Sequence, residues 1–244
     1  MLISPQSKAT ANQPTLSLRL SAIAESLSEG GVVCDVGSDH GALPLFLLCS
    51  GKCSSAIVTD LNEKPLERAK VNLCEAGVAG KATFVLTDGI EAVLPMKPDS
   101  FVIAGMGGET IVGILDRGLN QIPVGTQFFL QPMTKVSSLR RYLYENGFCV
   151  LNEKLIFEND KFFIVIQAVY DGVLRSNLSA FYEFGEYLPK LNNIDSKKYF
   201  SSLLFSLESV IEGKKKANIN FDEEIKRRKY LLHLLEEMNE NQRD

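Results

Sequence analysis

Val32-Val33-Cys34-Asp35-Val36-Gly37-Ser38-Asp39-His40-Gly41 decides the fold: an apolar, β-branched run ends in an acid and gives way to a glycine-bounded turn. The run favours a strand, and Gly37 and Gly41 let the backbone turn tightly and approach a ligand. Ala42-Leu43-Pro44-Leu45-Phe46-Leu47-Leu48 starts a helix directly behind. Strand, loop and helix in that order open a nucleotide-type α/β site.

The neighbouring segments repeat the pattern. Ser55-Ala56-Ile57-Val58-Thr59-Asp60 is a second apolar strand ending in an acid, and residues 62–76, with Leu66, Ala69 and Leu73 at helical spacing, complete a β-α-β unit. Asp60 follows the glycine loop by about 20 residues, the separation at which a carboxylate accepts bonds from ribose hydroxyls. A third strand over 82–86 ends at Thr87-Asp88-Gly89, and a fourth over 100–104 ends at Gly105-Met106-Gly107-Gly108. Ligands of an open parallel sheet lie outside the carboxyl ends of its strands, so four polar or glycine-rich ends point at one crevice.

Beyond the fourth strand the spacing predicts a helix over 109–119, a strand over 127–130, a break at Gln131-Pro132 and a helix over 136–146. Strands over 148–157 and 162–170, joined by Glu158-Asn159-Asp160-Lys161, form a hairpin and an antiparallel edge. Upstream, Leu16, Leu18, Leu20, Ile23, Ala24 and Leu27 mark an amphipathic helix that carries Arg19 and can close over the ligand loop. No strand signal follows Asp171. Amphipathic helices over 199–211 and from Asp222 onward, joined by a polar stretch, read as a helical hairpin. The expected organisation is a loose polar extension over 1–14, a ligand-binding α/β domain over 15–171 and a helical hairpin domain over 172–244.

Composition narrows the function classes. The chain has 244 residues, 45% of them hydrophobic, enough for a sizeable core. No apolar run approaches the roughly 20 residues of a membrane-spanning helix, and residues 1–14 lack the apolar core of a signal peptide, so the cytoplasm and no membrane partner are expected. Five cysteines, an odd number, are expected to stay reduced; with only His40 and His233 as histidines no metal site is expected. A net charge of −4 gives no global attraction to nucleic acid. Lys214, Lys215 and Lys216, and Lys226-Arg227-Arg228-Lys229, read singly as solvated helix faces. Together with Lys135, Arg140 and Arg141 they form a candidate phosphate-neutralising surface.

The loop Gly37-Ser38-Asp39-His40-Gly41 is not GxGxxG, and no stretch is GxxxxGK[ST]. Asp39 brings negative charge close to the ligand, which repels pyrophosphate and suits a ligand with sulfonium and ammonium groups, such as S-adenosylmethionine. Asp35 reads as a carboxylate organising loop amides. His40 reads equally as a ligand contact or as a loop-shaping residue, Met106 as pocket wall or core, and His233 as a surface or packing residue.

The chain resembles the TrmK-type bacterial tRNA (adenine(22)-N1)-methyltransferases. The resemblance is carried by LSLRLSAIA (Leu16 to Ala24), DVGSDHG (Asp35 to Gly41), Thr87-Asp88-Gly89, IAGMGG (Ile103 to Gly108), Leu130-Gln131-Pro132 and LYENG (Leu143 to Gly147). It implies a class I, Rossmann-like methyltransferase fold, a mostly parallel sheet with an antiparallel edge hairpin, plus a coiled-coil-like helical C-terminal part. S-adenosylmethionine is the implied methyl donor and tRNA the implied substrate. Under that resemblance Gly37, Ser38, Asp39, His40 and Gly41 wrap the methionine part, Asp60 and Leu61 hold the ribose, and Asp88 and Gly89 flank the adenine. Ala104, Gly105, Met106 and Gly107, continuing to Gly108, line the floor where the methyl group meets the base, and Arg19 meets the donor carboxylate.

Adenine N1 carries an in-plane lone pair, so alignment with the methyl group is the main requirement of the chemistry. Methylation leaves the base cationic; Asp39, the candidate catalytic residue, would stabilise that charge or take a proton from the exocyclic amine. The [DN]PP[FY] motif of amine-directed methylases is replaced by Ala104-Gly105-Met106-Gly107, which favours an endocyclic target. Because N1 lies on the pairing edge, the base must be unpaired or flipped. Rival readings are a methyltransferase of a small molecule or protein, and a non-catalytic scaffold with the same fold.

Overall fold

The computed structural model describes residues 14–240, so the expected extension over 1–14 lies, apart from Pro14, outside the described residues. Seven strands, β1 (Val32–Val36), β2 (Ser55–Asp60), β3 (Ala82–Leu86), β4 (Ser100–Gly107), β5 (Gln127–Thr134), β6 (Phe148–Glu158) and β7 (Lys161–Tyr170), form one sheet in the order β3-β2-β1-β4-β5-β7-β6. The first five are parallel; β7 runs antiparallel to β5 and to β6. Chain order reverses at β1, which lies between β2 and β4, and that reversal opens a crevice at the carboxyl ends.

The helices are α1 (Leu18–Ser26), α2 (Ala42–Cys49), α3 (Glu63–Glu75), α4 (Gly108–Gly118), α5 (Val136–Glu145), α6 (Ser179–Phe184), α7 (Ile194–Lys216) and α8 (Asp222–Glu240). Side chains alternate across the strands and feed two apolar layers. Phe101, Ile103, Phe128 and Leu130 face α4, α5 and the tail. Val33, Val58, Val102 and Phe129 face α1, α2 and α3. Phe101 and Phe128 stack at 5.2 Å, and complete burial of each ring contributes about 1.5–3 kcal/mol.

The central strands follow the expected bounds, whereas β4 and β5 run further than their patterns suggest. Gln131-Pro132 does not end β5, because a bulge in β4 at Gly105 shifts the register and Pro132 pairs opposite Met106 without an N–H to donate. In the tail, α7 begins five residues before 199: Asn193 accepts from the Ser196 amide at 2.8 Å and the Ser196 hydroxyl accepts from the Asn193 amide at 3.0 Å, a reciprocal cap. The short α6 carries no long-range sequence signal. Lys214–Glu224 at 2.9 Å, Arg228–Glu208 at 3.1 Å and Lys197–Asn239 at 3.4 Å pair ascending with descending positions, so α7 and α8 are antiparallel. Phe200, Leu231, Leu234 and Met238 share one apolar cluster with Phe148 and Ile166 of the sheet. Among the described residues no helix is long and apolar enough to cross a membrane.

Candidate active site

The loop after β1 is built from backbone bonds. The amides of Gly37 and Ser38 both donate to the Thr59 carbonyl at 2.9 Å, and the Asn72 side chain donates to the His40 carbonyl at 2.8 Å. His40 and Gly41 both have positive φ, 59° and 70°. At Gly41 a side chain has no room either: a Cβ would lie 2.9 Å from that of Ala69 and 3.0 Å from Leu73. His40 thus takes part in the turn through its backbone, and it also lines a surface hollow with Arg68 and Asn72.

At the β1–β4 switch point lies an open cleft of about 180 Å³. It brings together Gly37, Ser38 and Asp39 of the loop, Ala104 and Gly105 of β4, and Arg19 of α1, all anticipated from sequence. Ser17, Leu20, Asp35, Ala42, Leu43 and Gln131 complete it. Of these, Asp35 is expected from sequence as an organiser of loop amides, and Gln131 only as part of the Leu130-Gln131-Pro132 motif, without a role.

Asp35 is buried at the end of β1, and burial pushes its carboxyl up to about 6; the dipole of Ser38 lowers it and the charge of Asp60 raises it. The Ser38 hydroxyl is buried and has no hydrogen-bond partner within normal geometry among the described residues. The Ser38 hydroxyl thus has unmet capacity beside the buried Asp35 carboxyl, which suits a ligand that presents a cationic donor. Asp39 is on the rim, its carboxylate 82% exposed and 3.1 Å from Nε2 of His40.

Asp60 ends β2 with one carboxylate oxygen, Oδ1, accepting from the Asn62 amide at 2.7 Å; Oδ2 has no protein partner among the described residues. Leu61 beside it is exposed. At the end of β3 the Asp88 carboxylate turns onto Arg117 of α4, which also reaches Glu91 at 3.3 Å. Arg117 was not foreseen. Gly89 follows Asp88 in the same turn, Gly107 caps α4, and the Met106 methyl occupies the space a Cβ on residue 37 would need. Met106 is thus half-buried wall between the loop and β4. Arg19 donates from Nε to Glu158 at 2.8 Å and from Nη1 to Gln131 at 3.2 Å, and stacks 4.5 Å over Phe163.

The basic residues separate. Lys135 is exposed at the start of α5, and Arg141 is exposed with its guanidinium 5.4 Å over Tyr182. Arg140 must be removed from the candidate RNA surface: it is 1% exposed and pairs with the equally buried Glu153 at 2.7 Å. It shares its helix face with Leu139, Leu143 and Tyr144, which face the core; Nη1 donates to the Tyr182 and Glu183 carbonyls, while Nη2 is buried with no hydrogen-bond partner among the described residues. Lys214 and Lys216 are paired with Glu224 and Glu212, while Lys215 is exposed at the end of α7. Among the described residues no group of three or more His, Cys, Asp and Glu side chains could hold a metal ion.

Residues 16–166 match the family described as "Methyltransferase domain". Over 208 residues, 82% of this chain and 86% of the relative, the sequence is 30% identical to the tRNA (adenine(22)-N(1))-methyltransferase of Bacillus subtilis strain 168. The crystal structure of the B. subtilis M1A22 tRNA methyltransferase TrmK superimposes with a TM-score of 0.77 at 28% identity, covering 93% of this chain and 98% of that one. Streptococcus pneumoniae Sp1610 in complex with S-adenosyl-L-methionine gives 0.75 at 27% identity, covering 93% and 99%.

Proposed function

The chain belongs to the tRNA (adenine(22)-N1)-methyltransferase family, and from that premise we propose how its cleft serves the reaction. The enzyme methylates N1 of adenine 22 in tRNA with S-adenosylmethionine as donor. The observation that supports this use of the cleft is the pairing of a buried carboxylate, Asp35, with a buried unpartnered hydroxyl, Ser38, at the β1–β4 switch point.

When bound, S-adenosylmethionine supplies an electrophilic sulfonium methyl group. Asp35 and Ser38 would hold the ammonium of its methionine part, within the wrap of Gly37 to Gly41. Arg19 would hold its carboxylate with the capacity left beside Glu158 and Gln131. Asp60 offers Oδ2 to the ribose with Leu61 against it, and the Asp88-Gly89 turn flanks the adenine. Ala104, Gly105, Met106 and Gly107 frame the floor on which the target base is aligned, and alignment is the larger part of catalysis for a lone pair that already lies in the base plane. Asp39 on the rim stabilises the positive charge that methylation places on adenine.

Lys135, Arg141 and Lys215 contact tRNA phosphates, and the paired Lys214 and Lys216 add to the local potential. In this reading residues 15–171 carry the chemistry and 172–244 extend the RNA surface, and the protein works in the cytoplasm with its substrate.

The test is incubation of the purified protein with labelled donor and two unmodified transcripts, one with adenine 22 and one with guanine there. Label is expected on N1 of adenine 22 in the first and absent from the second. Equal labelling of both refutes the assignment.

A further inference from the structure

The acid-bearing loop and α1 form the donor side of the cleft, and the Ala104–Gly107 turn forms its floor. One side chain touches both. Gln131, 1% exposed within β5, accepts on Oε1 from the Gly105 amide at 3.2 Å and from Nη1 of Arg19 at 3.2 Å. Its amide nitrogen donates to the Pro132 carbonyl at 3.0 Å. Two N–H donors facing the same atom require an oxygen there, which fixes the orientation of the amide.

The strand chemistry explains why a side chain is needed. Ala104 pairs with Gln131 and Met106 with Pro132, so Gly105, with φ of 79°, is the extra residue of a bulge and its N–H has no place in the ladder. Gln131 supplies the missing acceptor. Arg19 is itself held by Glu158, which also accepts from the Leu18 amide at 2.7 Å, so the start of α1 is tied through Glu158, Arg19 and Gln131 to the bulge.

We propose that Gln131 is a positioning residue for methyl transfer: its single carbonyl oxygen sets the Gly105 bulge, and with it the base-facing floor, relative to the donor-side wall of α1. This rests on the assignment of the Ala104–Gly107 turn to the target base made above. Gln131 touches neither substrate in this role; every polar atom it has is used inside the protein. Its removal therefore slows transfer without weakening donor binding in proportion.

Gln131→Met keeps the length and most of the volume but leaves the Gly105 and Arg19 donors without their acceptor. Gln131→Glu keeps an acceptor oxygen for both. Single-turnover methyl transfer at saturating donor and tRNA is measured for each, beside the Kd of donor and of tRNA and the melting temperature. Gln131→Met is expected to transfer at least tenfold more slowly, with the tRNA Kd within threefold of wild type and the donor Kd weakened by clearly less than the rate. Gln131→Glu is expected to recover most of that loss, and it carries the test if the methionine variant does not fold. A Gln131→Met rate within threefold of wild type, a donor Kd weakened as much as the rate, or a Gln131→Glu enzyme as slow as the methionine variant overturns the proposal. Failure of the wild-type protein to label adenine 22 would instead strike the functional assignment.

Discussion

Asp35→Asn separates the cost of a buried acid from its use. Its burial lifts the Asp35 carboxyl from the ordinary 3.8 to about 6, with Ser38 offsetting part of the loss of water and Asp60 adding to the rise. At 1.36 kcal/mol for each tenfold change in proton affinity, that corresponds to about 3 kcal/mol. The sign follows from which state holds the proton. Below 3.8 both the folded and the unfolded chain keep it; between 3.8 and about 6 only the folded chain does. Stability of the ligand-free protein from this group therefore falls as pH rises through that window and stays low above it. Asparagine does not titrate, so the stability of the variant relative to wild type should climb by up to about 3 kcal/mol between pH 4 and pH 7. Urea unfolding without donor, repeated across that range, reads the difference directly. Donor binding should move the other way: wild-type affinity rises with pH through about 6 as the carboxylate forms, while the asparagine variant binds weakly and without that step. A stability difference that is flat with pH, or equal donor affinities at pH 8, would refute the reasoning.

Asp39→Asn should leave donor Kd within threefold and lower single-turnover transfer about tenfold, equivalent to about 1.4 kcal/mol of transition-state stabilisation; full turnover removes Asp39 from the chemistry. Arg140→Ala strands the buried Glu153 and should cost about 3–5 kcal/mol in urea unfolding, whereas replacing Arg140 and Glu153 together by methionine should recover most of it. Charge reversal at Lys135 and Arg141 should weaken tRNA binding and reduce the slope of log K against log salt by roughly 2, read by filter binding over a salt series. An unchanged slope removes both from the RNA surface.

The strands that build the crevice were legible because their chemistry is local. β1, β2 and β3 are apolar runs ended by an acid or glycine, and β2 and β3 occupy the expected residues. The loop was legible for the same reason. The ends of β4 and β5 were not, since a proline that normally ends a strand is tolerated where the partner strand bulges, and that tolerance depends on contacts between distant residues. Arg140 and Arg141 are adjacent and chemically alike, yet one is buried and the other exposed; helical phase and the buried Glu153 distinguish them. Gln131 was quoted only as part of a motif, because its value lies in the two donors it joins, one from residue 19 and one from residue 105. Asp35 reads from sequence as an organiser of amides, while its burial on one wall of the cleft depends on the packing of α1 and β4 around it.

The apolar cluster that joins the tail to the sheet has a mechanical consequence. Phe200, fully buried in the apolar cluster shared with the sheet, fastens the root of α7, and the 23 residues of α7 extend about 35 Å from end to end. A beam clamped at one end converts helix rise into a fixed reach, so Lys215 at the tip stands at a set span from the cleft. Under the RNA-binding role proposed above, the hairpin would act as a gauge that accepts an RNA for the separation between two of its parts, and lengthening both helices by seven residues would reset that gauge by about 10 Å.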